Sequence, residues 1–375
     1  MDIGLVKDKR PFEHRVALTP SAVRGLTGAG HRVYVESQAG AEAGFPDEAY
    51  EASGATIVFS EEEVVLRSEL VLRISPPQPD EYERFQHGQV VMASWHLAVA
   101  RPEQFGTLLE RGVTTVGYEI IEDDEGYAPV LRAMSEIAGR LAVIIGSGLL
   151  LNEFGGKGML IGGAPGIPPA SMVILGAGTL GTCAAICARG MGAHVVALDR
   201  DVKALRRFQQ RAGTDIPTMV ASRSNIEKAL QFADLFLCSV AVHGERAPIL
   251  VTREMLALMK PRTILMDLAI DQGGCCETSR PTDFSRPTYE VDGIVHFCVP
   301  NLPSTASRAS TRALTNAILP FVERIAENGF DTAVREDGAL RRGTYTWNGH
   351  CVRESLARAF GVPYHAIDPA DGRRS

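Results

Sequence analysis

Six residues, Gly176-Ala177-Gly178-Thr179-Leu180-Gly181, follow directly on the apolar run Met172-Val173-Ile174-Leu175. A GxGxxG spacing alone is a weak signal. Here a strand precedes it, a helix is predicted over about Thr179–Gly190, and the next strand, His194–Leu198, ends on Asp199. In that setting each glycine has a steric task. Gly176 makes a tight turn, Gly178 lets a pyrophosphate approach the backbone, and Gly181 lets the helix pack closely on the strand. The unpaired N–H groups and positive dipole end of the helix suit phosphate oxygens. Asp199 stands where a carboxylate accepts hydrogen bonds from ribose hydroxyls and repels a 2′-phosphate. The expected cofactor is therefore NAD, with Arg200 beside Asp199 weakening the preference over NADP.

These residues need a sheet to hold them. Strands are predicted at Ile3–Val6, His31–Glu36, Thr56–Phe59, Leu70–Ile74 and Val90–Ala93. Helices are predicted from Thr19-Pro20, a good N-cap and first-turn pair, to about Gly28, and over Asp47–Ser53. The glycine-rich stretch Gly155–Gly166 reads as a hairpin or loop. Further strands fall at Asp234–Val240 and Thr263–Ala269, with a helix over Thr252–Met259 between them. After Asn301 the pattern turns helical, over Arg308–Glu327 and about Arg353–Phe360. This rhythm predicts an α/β chain with mainly parallel sheets. The expected plan is a dinucleotide-binding domain at 133–303, inserted into a domain made of residues 1–132 and 304–375.

The bulk numbers exclude other classes. The 375 residues are 45% hydrophobic and 22% charged, with a net charge of -7, so no basic footprint for nucleic acid is present. No apolar stretch reaches the roughly 18 residues a membrane span needs. Asp2, Lys7, Asp8 and Lys9 do not suit a signal peptide, and the seven cysteines lie mostly in apolar runs. A cytoplasmic protein with reduced thiols is expected. Cys275-Cys276 lacks a CxxC partner or histidine cluster, so no metal site is expected.

Several segments together resemble alanine dehydrogenase and the related NAD-binding subunit of proton-pumping transhydrogenase. They are Glu13–Pro20, His87-Gly88-Gln89, His96-Leu97-Ala98, Met134–Arg140, the dinucleotide fingerprint and Asp267–Gly274. The resemblance covers nearly the whole chain, and Met134–Arg140 is nearer the alanine dehydrogenases. It implies two Rossmann-like domains and NAD-dependent, reversible oxidative deamination of a small L-amino acid to its 2-oxo acid. It also implies a homo-oligomer, hexamer or dimer. By residue, Arg15 is expected to clamp the substrate carboxylate, His96 to act as general acid/base, and Asp271 to sit near the reacting nitrogen and the nicotinamide. Met134 and Asn301 are expected to line the substrate site. Ser135, Thr179, Leu180, Arg200, Val240 and Asp271 join the glycines and Asp199 as expected cofactor contacts. Arginine suits a carboxylate because its planar fork donates two parallel hydrogen bonds, and histidine titrates near neutral pH.

Two departures bear on substrate. The family has a Lys-Val-Lys-Glu-Pro pattern whose second lysine touches substrate, whereas this chain reads Arg73-Ile74-Ser75-Pro76-Pro77. Ser75 cannot supply a cation. Arg73, two residues away on the same strand face, either replaces it in part or matches the family's first lysine. An aromatic residue usual two before the histidine is Ser94 here. Both changes shrink the side chains expected at the pocket and suggest a substrate bulkier than alanine, with Arg132 as a candidate anchor for a polar tail. They also motivate two rivals: an imine-reducing enzyme similar to carboxyethylornithine synthase, and a catalytically silent NAD-binding regulator.

Overall fold

A computed structural model describes residues 1–78, 80–240 and 246–369. In chain order its strands are β1 (Asp2–Leu5), β2 (Arg32–Glu36), β3 (Thr56–Val58), β4 (Leu70–Leu72), β5 (Val90–Ala93), β6 (Thr114–Gly117), β7 (Ser171–Leu175), β8 (His194–Asp199), β9 (Thr218–Val220), β10 (Leu235–Cys238), β11 (Ile264–Asp267), β12 (Thr288–Val291), β13 (Ile294–Phe297), β14 (Thr344–Trp347) and β15 (His350–Cys351). The chain divides into two compact units. One comprises Met1–Met134 and the chain from Ser304 onward; the other is Ser135–Pro303.

The first unit is built on a sheet of order β15-β14-β6-β5-β4-β1-β2-β3. Its strands β1 to β6 pair in parallel. Strand side chains alternate between faces, so along β4 Leu70 and Leu72 enter one core and Val71 the other. Thr19 caps helix Pro20–Gly28 through its side chain, with Pro20 in the first turn. The chain's last segments hold more than helices. Strand β14 pairs antiparallel with β6 and, through a hairpin, with β15. The hairpin turns on Asn348 (φ 48°) and Gly349 (φ 80°), an Asn-Gly pair suited to the left-handed backbone of a two-residue hairpin turn. The parallel sheet thus carries an antiparallel edge, a common arrangement in mixed sheets.

The second unit has strand order β12-β13-β11-β10-β7-β8-β9. All pairs are parallel except β12 with β13. Met172 and Ile174 of β7 enter one core, Val173 and Leu175 the other. The order reverses at β7, and the crevice outside such a switch point is where open α/β sheets bind ligands. The stretch Gly155–Gly166 is irregular, with one short bridge between Ala164 and Ile167. A helix of 21 residues, Pro129–Leu149, was not anticipated. Its glycines argue against a helix locally, but at two of them packing needs the missing Cβ: one at Gly139 would collide with the Leu180 carbonyl, and one at Gly146 would lie 2.8 Å from a Leu235 methyl. Among the described residues no helix is long and apolar enough to cross a membrane.

Candidate active site

In the first unit, loops leaving the carboxyl ends of β1, β4, β5 and β6 carry the expected chemistry. Arg15 lies in the loop after β1 and is buried. Its Nε donates to Glu13 Oε1 (2.8 Å) and one terminal nitrogen to Glu13 Oε2 (2.7 Å), a two-pronged fork, while the other terminal nitrogen lies 3.3 Å from Met134 Sδ. The loop is pinned on both sides of Arg15. The His14 N–H donates to Ser304 Oγ (2.9 Å), Ser304 Oγ donates to the Phe12 carbonyl (2.6 Å), and the Val16 N–H donates to Thr311 Oγ1 (3.2 Å). The guanidinium plane is therefore fixed by the fold before any ligand arrives.

The loop after β4 bears on the two readings of Arg73. Its guanidinium is 3% exposed and donates to Glu61 Oε1, Glu81 Oε2 and the Ser75 carbonyl, each at 2.9 Å. Lys9 and Arg84 also reach Glu61. A cation held on three sides by two buried carboxylates and a carbonyl has no fork left for a substrate carboxylate. Arg73 is accordingly an internal ion-pair residue, and the expectation that it binds substrate is dropped. Ser75 is itself buried, and its N–H donates to Asp8 Oδ2 (2.7 Å).

After β5 come Ser94, Trp95 and His96. Trp95 is buried edge-on against Tyr82, with ring centroids 6.3 Å apart, and its indole N–H donates to the Val91 carbonyl. Ser94 and His96 are half-buried, so the imidazole is not enclosed in the core. His96 adopts φ 48°, ψ 40°. That left-handed conformation costs a residue with a Cβ on the order of 1 kcal/mol and persists only where the surroundings over-determine it. Glu119, just beyond β6, supplies the constraint. Its Oε1 accepts the His96 N–H (2.6 Å) and its Oε2 the Trp95 N–H (3.2 Å).

In the second unit the Gly176–Gly181 turn joins β7 to helix Thr179–Gly190. Gly176 has φ 112°, and a Cβ there would sit 2.8 Å from the Ser239 carbonyl oxygen. A Cβ at Gly181 would strike the Gly176 carbonyl, whereas one at Gly178 would meet nothing within 4 Å. The open space lies at the one glycine whose predicted role is to admit a ligand. Gly178 has no side chain to cap the helix, so the first-turn N–H groups, those of Thr179 and Leu180 among them, are open to an anion. Asp199 ends β8, where Oδ2 accepts the Ala177 N–H (2.8 Å) and Oδ1 the Asp201 N–H (2.9 Å). Arg200 is exposed, and Ser135 and Val240 are half-buried. The donors, the vacant volume at Gly178 and the carboxylate fit a dinucleotide.

Asp271 lies in a short turn, Ile270–Gln272, and is exposed within its unit. The N–H of Asn301, another left-handed residue (φ 54°), approaches its Oδ2 at 3.4 Å. Asp267 fixes the loop that presents Asp271. It is fully buried and accepts the N–H groups of Ala269, Cys275 and Cys276 and the Ser279 hydroxyl. Arg132 has its guanidinium 5.2 Å from the centre of the Tyr127 ring.

Sequence reasoning assigned no role to Glu13, Asp8, Glu119, Asp267 or Gly139. Glu13, Gly139 and Asp267 lie inside motifs it quoted. Glu119 lies 23 residues from His96, with no spacing rule to connect them. The Asn348-Gly349 pair was a legible hairpin signal for β14, which pairs with β6 and carries Tyr345, a donor to Glu119.

Comparison with known proteins agrees along the whole chain. The family models "Alanine dehydrogenase/PNT, N-terminal domain" and "Alanine dehydrogenase/PNT, C-terminal domain" match residues 4–138 and 142–354. The alanine dehydrogenase of Bacillus subtilis is 42% identical over 99% of this chain and 97% of its own. That of Mycolicibacterium smegmatis is 40% identical over 97% and 98%. A solved L-alanine dehydrogenase superposes with a TM-score of 0.90 at 40% identity, covering 96% of this chain and 99% of that one. A transhydrogenase from Sinorhizobium meliloti shares the fold, with a TM-score of 0.79 at 24% identity.

Proposed function

This chain belongs to the alanine dehydrogenase/PNT family, and on that premise we propose that it is an NAD-dependent amino-acid dehydrogenase. It interconverts a small L-amino acid with its 2-oxo acid and ammonium. The observation that carries the reading lies in the first unit. A half-buried imidazole, His96, and a buried, pre-oriented guanidinium, Arg15, leave the carboxyl edge of one sheet. That pairing suits a substrate bearing a carboxylate and a group that gains or loses a proton.

Residues Ser135–Pro303 form the dinucleotide domain in this reading; residues 1–134 and those from Ser304 on form the substrate domain. NAD, when bound, supplies the hydride acceptor. First-turn N–H groups of the helix at Thr179 and Leu180 meet the pyrophosphate across Gly178. Asp199 accepts hydrogen bonds from ribose hydroxyls, and Arg200, Ser135 and Val240 flank the dinucleotide. Arg15 holds the substrate carboxylate, with Met134 packed beside it. Once the substrate amine is deprotonated, loss of its α hydrogen with the electron pair leaves an iminium ion. His96 takes a proton from the water that adds to that iminium ion and returns it to the departing ammonia. Asp271 steadies the ammonium, with Asn301 beside it, and Ser75 and Ser94 line the substrate side. The protein is expected to be cytoplasmic and to assemble as a homo-oligomer, hexamer or dimer.

The direct test is NADH formation from NAD with a panel of small L-amino acids, and its reversal with 2-oxo acids and ammonium. Turnover of at least one pair is expected; silence with all of them sinks the reading. A second reading, imine reduction joining a 2-oxo acid to an amino acid, is favoured by one observation. Arg73 is committed to Glu61 and Glu81, so it brings no cation to the Ser75 position. NADH consumption with pyruvate plus a diamino acid, and none with pyruvate plus ammonium, would select it.

A further inference from the structure

We infer that Glu119, oriented by Tyr345, is the positioning residue for His96: it sets the imidazole through the backbone rather than through the ring. The inference rests on the role proposed above for His96. Three donors converge on this one carboxylate, the N–H groups of Trp95 and His96 and the Tyr345 hydroxyl, which reaches Oε1 at 2.8 Å. No hydrogen bond between Glu119 and the His96 ring accompanies them among the described contacts. A carboxylate on a ring nitrogen would hold the imidazole and raise its basicity together. One on the backbone N–H holds the left-handed turn and leaves both ring nitrogens to the reaction.

The surrounding fold is shaped for this contact. Strand β14 slips register against β6 between Thr344 and Thr346, which places Tyr345 at an irregularity of the kind that re-aims a side chain. Gly117 ends β6 just before Glu119. A Cβ there would lie 2.5 Å from Tyr345 Cε2 and 3.1 Å from Glu119 Oε1, so the glycine makes room for both partners. Burial and the Glu119 charge push the Tyr345 phenol well up, which keeps it a donor throughout the working pH range. Arg353 lies over the same ring, 5.9 Å from its centroid. The C-terminal segment therefore reaches the proton-handling histidine through one hydroxyl and one carboxylate.

Glu119→Gln turns one acceptor into an N–H donor facing donors, and Tyr345→Phe removes only the hydroxyl. With the best substrate pair in hand, Glu119→Gln is expected to lower kcat at least tenfold and Tyr345→Phe about threefold. KM for NADH should stay within twofold, and the kcat/KM ionisation belonging to His96 should shift. The ring signals of His96, recognised by their loss in His96→Ala, should move in NMR spectra of Tyr345→Phe and Glu119→Gln. Parental kcat and an unmoved pH profile in Tyr345→Phe and in folded Glu119→Gln would overturn the inference. So would a rate loss that comes with parental His96 signals. If Glu119→Gln does not fold, Tyr345→Phe decides alone. A His96→Ala variant with parental rate would instead overturn the role of His96, so the two failures are distinguishable.

Discussion

At the scale of single residues, the charged groups of the first unit divide into those held for a ligand and those used up by the fold. We read Arg15 as the first kind: Glu13 takes its Nε and one terminal nitrogen and fixes its plane, and the other terminal nitrogen, beside Met134 Sδ, is the one the proposed role assigns to the substrate carboxylate. Arg15→Lys keeps the charge and loses the planar fork. KM for the amino acid and 2-oxo acid should rise tenfold or more with the NADH Kd unchanged, as initial rates and fluorescence titration would measure; an unchanged KM would remove Arg15 from substrate binding. Arg73 is of the second kind. Burial alone would push the Glu81 carboxyl up, but Arg73 beside it and the Gln78 N–H bring it from 4.5 down to about 2. A carboxyl lowered on folding stabilises the fold above its unfolded pKa, and that stability drains away as pH falls from about 4.5 toward 2. Arg73→Met leaves Glu61 and Glu81 short of a buried partner. It should cost about 3–5 kcal/mol near neutral pH and flatten the loss of stability between those two pH values, as denaturant titrations across pH would show. None of this was legible beforehand. Sequence spacing related Arg73 only to Ser75, whereas its partners Glu61 and Glu81 come from other segments, and only the folded chain brings them in.

At the scale of elements, the sequence was most informative where a backbone constraint has a short-range signature. The strand–turn–helix around Gly176–Gly181 and the Thr19-Pro20 start are such cases, because each constraint acts within a few residues. Helix Pro129–Leu149 was hidden because its glycines answer to distant atoms, the Leu180 carbonyl and the Leu235 side chain. The β14–β15 hairpin was missed despite its Asn-Gly turn, because the helical pattern after Asn301 dominated the reading. The fingerprint's glycines can be separated by experiment. Gly178→Ala places a methyl where nothing lies within 4 Å. It should leave Tm within about 2 °C of the parent and raise the NADH Kd at least tenfold, because the methyl takes the space assigned to the pyrophosphate. Gly181→Ala drives a methyl into the Gly176 carbonyl and should lower Tm by several degrees, since overpacking costs about 1–3 kcal/mol. Thermal melts and NADH titrations of the two variants check both halves; a Gly178→Ala variant that binds NADH like the parent would move the cofactor elsewhere.

For the whole molecule, the question is how cofactor choice is felt by a chain built as two compact units, each with its own sheet and its own pair of cores. A ligand that binds only the folded form stabilises it by about 2.7 kcal/mol at a hundred times its Kd. For a cooperative unit of 150–250 residues that amounts to a rise in Tm of about 5–10 °C. The rise should depend on the charge at Asp199. Its two oxygens already accept the Ala177 and Asp201 N–H groups, so the carboxylate is held in place and cannot swing away from a 2′-phosphate. The exposed Arg200 beside it would offer that phosphate a countercharge, but a solvated cation compensates weakly. NADH is therefore expected to raise Tm by the full amount, and NADPH at the same concentration by less than half of it. Asp199→Asn should narrow the gap by removing the repulsion while keeping one acceptor oxygen. Differential scanning fluorimetry of both proteins with both dinucleotides reads the result directly. Equal shifts from NADH and NADPH in the parent would mean that Asp199 does not face the ribose, and the preference for NAD would lose its physical basis.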